Sequence, residues 1–194
     1  MITIIDYGAG NIRSVQNALK RLGTTSSLSS DFNEIHKAEK VIFPGVGHAH
    51  SALKALSEKG LNTLIPKLKQ PVLGICLGMQ LMCASSEETT SETLKLFPSR
   101  VLHFDKRQKV PHMGWNSTML QTNNPLFKGL ASVQDFYFVQ SYYVEPSAYS
   151  IARCHYGSSM FTAGMHKDNF YALQFHPEKS GDAGAQILQN FIQL

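Results

Sequence analysis

Three times within the first 84 residues, a short apolar run stops at a glycine and hands over to residues spaced as on a helix. Ile2-Thr3-Ile4-Ile5 stops at Gly8-Ala9-Gly10, after which Ile12, Val15, Ala18, Leu19 and Leu22 recur at helical intervals as far as Gly23. Lys40-Val41-Ile42-Phe43 ends at Pro44-Gly45-Val46-Gly47, and Ala49, Leu53, Leu56, Leu61, Leu64, Ile65 and Leu68 then predict one or two helices. Pro71-Val72-Leu73-Gly74-Ile75 reaches Cys76 and a third helical stretch, Leu77 to Ala84. Strands separated by helices pair in parallel through right-handed crossovers, which lay the helices over both faces of the sheet. The expected class is therefore α/β, with a mostly parallel central sheet flanked by helices.

The second half changes character. Phe136-Tyr137-Phe138-Val139, Ile151 to Tyr156, Met160-Phe161-Thr162-Ala163 and Phe170 to Phe175 read as strands with no helix between them, so a smaller antiparallel portion is expected. The turn residues His166-Lys167-Asp168-Asn169 make a hairpin of the last two. A final helix from about Ala183 buries Ile187, Leu188, Phe191 and Ile192, and the Ser, Thr and Glu of residues 85–99 predict a surface loop. With no repeat and no linker, residues 1–194 read as one domain.

Bulk properties exclude several classes. No stretch reaches the roughly 18 consecutive apolar residues of a membrane helix, and the apolar start is too short for a signal peptide, so a cytoplasmic protein is expected. Three cysteines without a Cys-x-x-Cys pair argue against disulfides and structural zinc, and neither metal nor cofactor is expected. The formal charge of +4 is spread over scattered Lys and Arg without an aromatic-basic motif, which weighs against nucleic acid. Gly8-Ala9-Gly10 lacks the third glycine of a dinucleotide loop, since position 13 is arginine.

In an open parallel sheet, ligands bind beyond the carboxyl ends of the strands, where Cys76 falls. Gly74-Ile75-Cys76-Leu77-Gly78 has the Gly-x-Cys-x-Gly form of a nucleophile elbow, with the thiol raised at the start of a helix that favours thiolate. The heptapeptide through Gln80 alone leaves a buried, inert cysteine equally open; Cys83, on the same predicted helix, suits that role better.

A thiolate nucleophile needs a base, and the base an orienting group. Gln174-Phe175-His176-Pro177-Glu178 supplies both if His176 and Glu178 project to one face of an extended chain while Pro177 faces away. By contrast, His36, His48, His50, His103 and His166 read as ordinary surface or core residues. Oxyanion donors are expected at the Leu77 N–H and in the Pro44-Gly45-Val46-Gly47 loop, at Val46 and Gly47.

With these residues in view, the chain resembles class I (triad) glutamine amidotransferases, and among them the glutaminase subunits of imidazole glycerol phosphate synthases. The matching segments are Asp6 to Asn11, Pro44 to Gly47, Gly74 to Gln80, Pro111-His112-Met113-Gly114-Trp115-Asn116 and Gln174 to Ser180, in family order over nearly the whole chain. The resemblance implies a flavodoxin-like amidotransferase fold and a Cys76, His176 and Glu178 triad that hydrolyses L-glutamine through a glutamyl thioester. It also implies that Gln80, Glu88 and the backbone of Gly47, Ser141 and Tyr142 hold glutamine. Ammonia would then pass to a separate (β/α)8-barrel cyclase faced by Asn11, Trp115, Tyr137 and Lys179.

Two departures stand out: Gln140 replaces the histidine usual in Phe138-Val139-Gln140-Ser141-Tyr142, and Leu94 to Ser99 lacks the usual glycines. A related glutaminase feeding a different, for instance sugar-amidating, synthase is the alternative within this family. Outside it stand a cysteine peptidase or esterase and a non-catalytic interaction module.

Overall fold

The computed structural model describes residues Met1–Leu194. Strand β1 (Ile2–Ile5) leads through α1 (Ile12–Arg21) to β2 (Ser26–Ser29), and α2 (Phe32–Lys37) returns to β3 (Lys40–Gly45). Helices α3 (Ala49–Glu58) and α4 (Leu61–Leu64) carry the chain to β4 (Val72–Cys76), which runs directly into α5 (Leu77–Leu81). There follow β5 (Cys83–Ser86), β6 (Phe97–His103), β7 (His112–Leu120), β8 (Val133–Gln140) and β9 (Tyr142–Val144). Then come β10 (Ser150–Tyr156), β11 (Ser159–Lys167), β12 (Phe170–Leu173) and α6 (Gly181–Gln193).

The main path of the sheet runs β2-β1-β3-β4-β12-β11-β10-β7-β8. From β2 to β12 neighbouring strands are parallel; from β12 to β8 they are antiparallel. The expected parallel sheet and its antiparallel extension are thus one continuous structure, joined where β12 lies between β4 and β11. Strands β5, β6 and β9 form a side branch that meets β11 at Thr162.

Two apolar layers explain why the parallel strands read as unbroken apolar runs. Ile4, Ile42, Leu73 and Ile75 pack on one face with Val15 and Leu19 of α1 and Ile187, Leu188 and Phe191 of α6. Their neighbours Ile5, Val41, Phe43 and Val72 pack on the other with Leu53 and Leu56 of α3 and Met79 of α5. Successive side chains on a strand point to opposite faces, so a strand covered on both must be apolar at every position. No helix of the chain is long and apolar enough to cross a membrane.

One helix is shorter than its periodicity predicts. The stretch from Leu77 to Ala84 breaks after Leu81, and Cys83 begins β5. The carbonyls of Leu81, Met82 and Cys83 accept from the N–H groups of Leu94, Leu96 and Lys95 respectively, which draws this segment into sheet-like pairing. Cys83 nevertheless has the inert role expected of it: it is buried, its Sγ donates to the Met79 carbonyl at 3.6 Å, and burial pushes its thiol far up.

Candidate active site

Cys76 ends β4 and caps α5 with φ of 54° and ψ of −111°, a conformation that costs strain for a residue with a Cβ. Glycines let the elbow close. A Cβ on Gly78 would collide with the Phe43 carbonyl of β3, and one on Gly74 would lie 2.9 Å from Met82 Sδ and 3.2 Å from the Gly78 carbonyl carbon. A Cβ on Gly45 would lie 2.6 Å from the Gly78 nitrogen. The helix is therefore seated directly on β3 and β4, which holds the turn at Cys76 against its strain.

Strand β12 runs parallel to β4 with Leu173 opposite Ile75, so the chain emerging from it arrives beside Cys76. The His176 N–H donates to the Tyr137 carbonyl at 3.0 Å, Ser180 Oγ donates to the His176 carbonyl at 2.7 Å, and the Tyr137 N–H donates to Ser180 Oγ at 3.0 Å. Ser180 thus clamps the segment to β8. Pro177–Lys179 forms a 3-10 turn rather than the extended chain expected, and this turn brings Glu178 back to its own neighbour. His176 Nδ1 and Glu178 Oε1 are 2.8 Å apart, with side chains 4% and 1% exposed. Burial pulls the His176 pKa down, but the Cys76 thiolate and the Glu178 carboxylate overcome it and raise the imidazole to about 10.

A cavity of about 460 Å³ opens onto Cys76 and His176. Val46, Gly47 and Leu77, expected as oxyanion donors, line it, and the N–H groups of Val46 and Gly47 make no hydrogen bond within the chain. The loop is anchored by Tyr7, whose hydroxyl donates to the Pro44 carbonyl at 2.8 Å. Gln80, Glu88, Ser141 and Tyr142 line the same cavity. Gln80 Nε2 donates to the Tyr142 carbonyl at 3.0 Å. Glu88 spans the entrance of α3: one carboxylate oxygen accepts from the Ala49 N–H at 3.1 Å, and the other lies 3.1 Å from His48 Nδ1.

Of the four residues expected to face a partner, three come together at the edge of the cavity. Trp115 is 57% exposed on β7 and meets the Tyr137 ring edge-on at 6.2 Å, while Lys179 Nζ lies 5.8 Å from that ring. Lys179 also lines the cavity, so this cluster touches the site itself. Asn11 stands at the start of α1, where its Oδ1 accepts from Ser14 Oγ at 2.8 Å.

Several residues of the site escaped the sequence reading. His48 and His103, read as ordinary histidines, both line the cavity; His103 stacks edge-on against Tyr142 at 4.9 Å. Position alone marks His48, which follows the glycine loop directly; no pattern marks His103. Gln140, at the position where the resemblance implies histidine, is buried with neither amide atom hydrogen-bonded. Gln174 is buried behind the thiol.

The class I glutamine amidotransferase family model matches residues 3–194. An imidazole glycerol phosphate synthase subunit HisH of Bacteroides fragilis is 51% identical over 100% of this chain and 99% of its own length. The subunit of the same name from Haemophilus influenzae is 47% identical over 99% of this chain and 96% of its length. Among solved structures, a putative GMP synthase subunit from Thermoplasma acidophilum superposes with a TM-score of 0.77 at 21% identity, over 99% of this chain and 92% of that one. PurLQS from Thermotoga maritima gives 0.72 at 17% identity, over 99% and 97%. These structures share the fold. On the match of nearly its whole length, the chain belongs to the class I glutamine amidotransferase family.

Proposed function

We propose that this chain is one glutaminase domain over residues 1–194, the cytoplasmic amidotransferase subunit of an imidazole glycerol phosphate synthase, and that Cys76, His176 and Glu178 are its triad. The observation that carries the reading is the buried His176–Glu178 pair set beside Cys76 at the wall of one cavity. Identity near 50% to HisH subunits over full length supports the choice of synthase.

In this mechanism the Cys76 thiolate attacks the side-chain amide carbon of L-glutamine and forms a C–S bond. The oxyanion is held by N–H groups from Leu77 and from Val46 or Gly47. Imidazolium at His176, kept protonated by Glu178, gives its proton to the amide nitrogen; the C–N bond breaks and ammonia leaves. Water then adds to the thioester with His176 as base, and glutamate departs as the thiolate re-forms. Gln80, Glu88 and the backbone at Gly47, Ser141 and Tyr142 hold the amino-acid end of the substrate.

Ammonia must travel unprotonated, which favours release only against a bound acceptor enzyme. A (β/α)8-barrel cyclase docked over Trp115, Tyr137, Lys179 and Asn11 is the proposed recipient, and the unbonded N–H groups of Val46 and Gly47 suit a loop that completes its oxyanion site on docking. Glutamate release is measured with and without the cyclase and its nucleotide ligand. Strong stimulation by the liganded cyclase, lost in Cys76→Ala, is expected; turnover indifferent to the cyclase would defeat the coupling, and activity of Cys76→Ala would defeat the nucleophile.

A further inference from the structure

Gln174 follows β12 and precedes His176 by two residues, so both side chains turn toward the end of β4. It is fully buried, yet its amide is engaged at both ends. Oε1 accepts from Gln80 Nε2 at 2.9 Å, and Nε2 lies 3.8 Å from Cys76 Sγ, within reach of a sulfur acceptor. The orientation is fixed by an acceptor that cannot reverse. The Tyr142 carbonyl only accepts, so Gln80 must present its NH2 there; the same NH2 then demands the oxygen of Gln174, which leaves the Gln174 NH2 facing the sulfur.

Cys76 Sγ also lies 3.8 Å from the Val139 carbonyl, a group that can accept from a thiol but repels a thiolate. The charged form of the His176 imidazole is favoured by the sulfur's own charge, and Gln174 brings a neutral N–H to the sulfur. A donor to the ionised form lowers the pKa of an acid, and a buried site amplifies the effect because little water competes.

We propose that Gln174 is a catalytic residue of this site, a hydrogen-bond donor that stabilises the Cys76 thiolate while fixing Gln80 with its oxygen toward the substrate cavity. The proposal rests on Cys76 being the nucleophile. One amide thereby couples the reacting atom to the residue that meets the substrate.

The test follows the rate of Cys76 carboxamidomethylation by iodoacetamide against pH, read by peptide mass, in the full chain alone and with its cyclase. In Gln174→Met the acidic limb moves to higher pH, and kcat for glutamate release falls at least tenfold. Gln174→Asn, a methylene too short to bridge Gln80 and Cys76, shifts the limb in the same direction and serves if Gln174→Met does not fold. Wild-type limbs in folded Gln174→Met or Gln174→Asn, with any loss confined to KM, overturn the donor role. Cys76→Ala separates the two readings: if it keeps glutaminase activity, the nucleophile itself is wrong, whatever Gln174 does.

Discussion

His176 Nδ1 stands 2.8 Å from Glu178 Oε1 although only one residue separates them in the chain, because the 3-10 turn through Pro177 folds the carboxylate back under the ring. Both groups are buried, so a charge left alone there is costly. The imidazole titrates at about 10 in the fold against 6.5 in a free chain. A raised histidine pKa stabilises the fold fully below the free value and loses that contribution as pH climbs through the folded one. Urea unfolding of the native chain should therefore show stability falling between about pH 6.5 and pH 10. In Glu178→Ala the loss at neutral pH should reach about 3 kcal/mol, and the pH dependence over that window should weaken without vanishing, because Cys76 still raises the imidazole.

Gly78 is the tightest joint of the elbow. Any side chain there must push α5 away from the Phe43 carbonyl, and that displacement reaches Cys76 two residues earlier. Gly78→Ala should cost about 3 kcal/mol in chemical denaturation and abolish labelling of Cys76, whereas a chain of native stability and reactivity would show that the helix is not held by this contact.

The parallel half of the fold was legible because its physics is local: an apolar strand buried on both faces, a glycine, then a helical stripe. Cys76 and His176 follow from the same logic, each standing where a strand ends at one sheet edge. Strands β2, β5, β6, β7 and β9 were not legible. β7 mixes Gly114, Asn116 and Ser117 with the exposed Met113 and Trp115, so its outer face lacks the polar alternation of an ordinary sheet surface. The start of β5 reads as helix until the segment Leu94–Phe97 claims the carbonyls of Leu81, Met82 and Cys83. Gln174 and Ser180 lie within a recognisable motif, but their work is done through Gln80, Cys76 and Tyr137, partners set by tertiary structure.

Glu88 has one observed contact and one proposed role, and the two separate experimentally. Its Oε2 satisfies the Ala49 N–H at the start of α3, a cap contact whose loss costs about 1 kcal/mol, and its carboxylate is the proposed anchor for the substrate ammonium. Glu88→Gln keeps an oxygen for Ala49 but loses the charge. It should raise KM for glutamine at least tenfold with little change in unfolding free energy, while Glu88→Ala should lose both. Equal KM values in Glu88→Gln and the native chain would remove Glu88 from the binding site.

Trp115 and Tyr137 oppose each other across β7 and β8, so their rings share the outer face of that hairpin, and Lys179 joins them from the segment that carries His176. An exposed tryptophan in this setting contributes little to the fold, since its ring is already largely in water, but supplies the kind of anchor that dominates a protein interface. Trp115→Ala should leave thermal stability and basal Cys76 labelling near native values. Its affinity for the cyclase, measured by titration calorimetry, should fall about thirtyfold, which corresponds to about 2 kcal/mol. Stimulation of glutaminase should return at high cyclase concentration, because the substitution weakens docking and spares the triad. Unchanged affinity would move the docking face elsewhere on the chain.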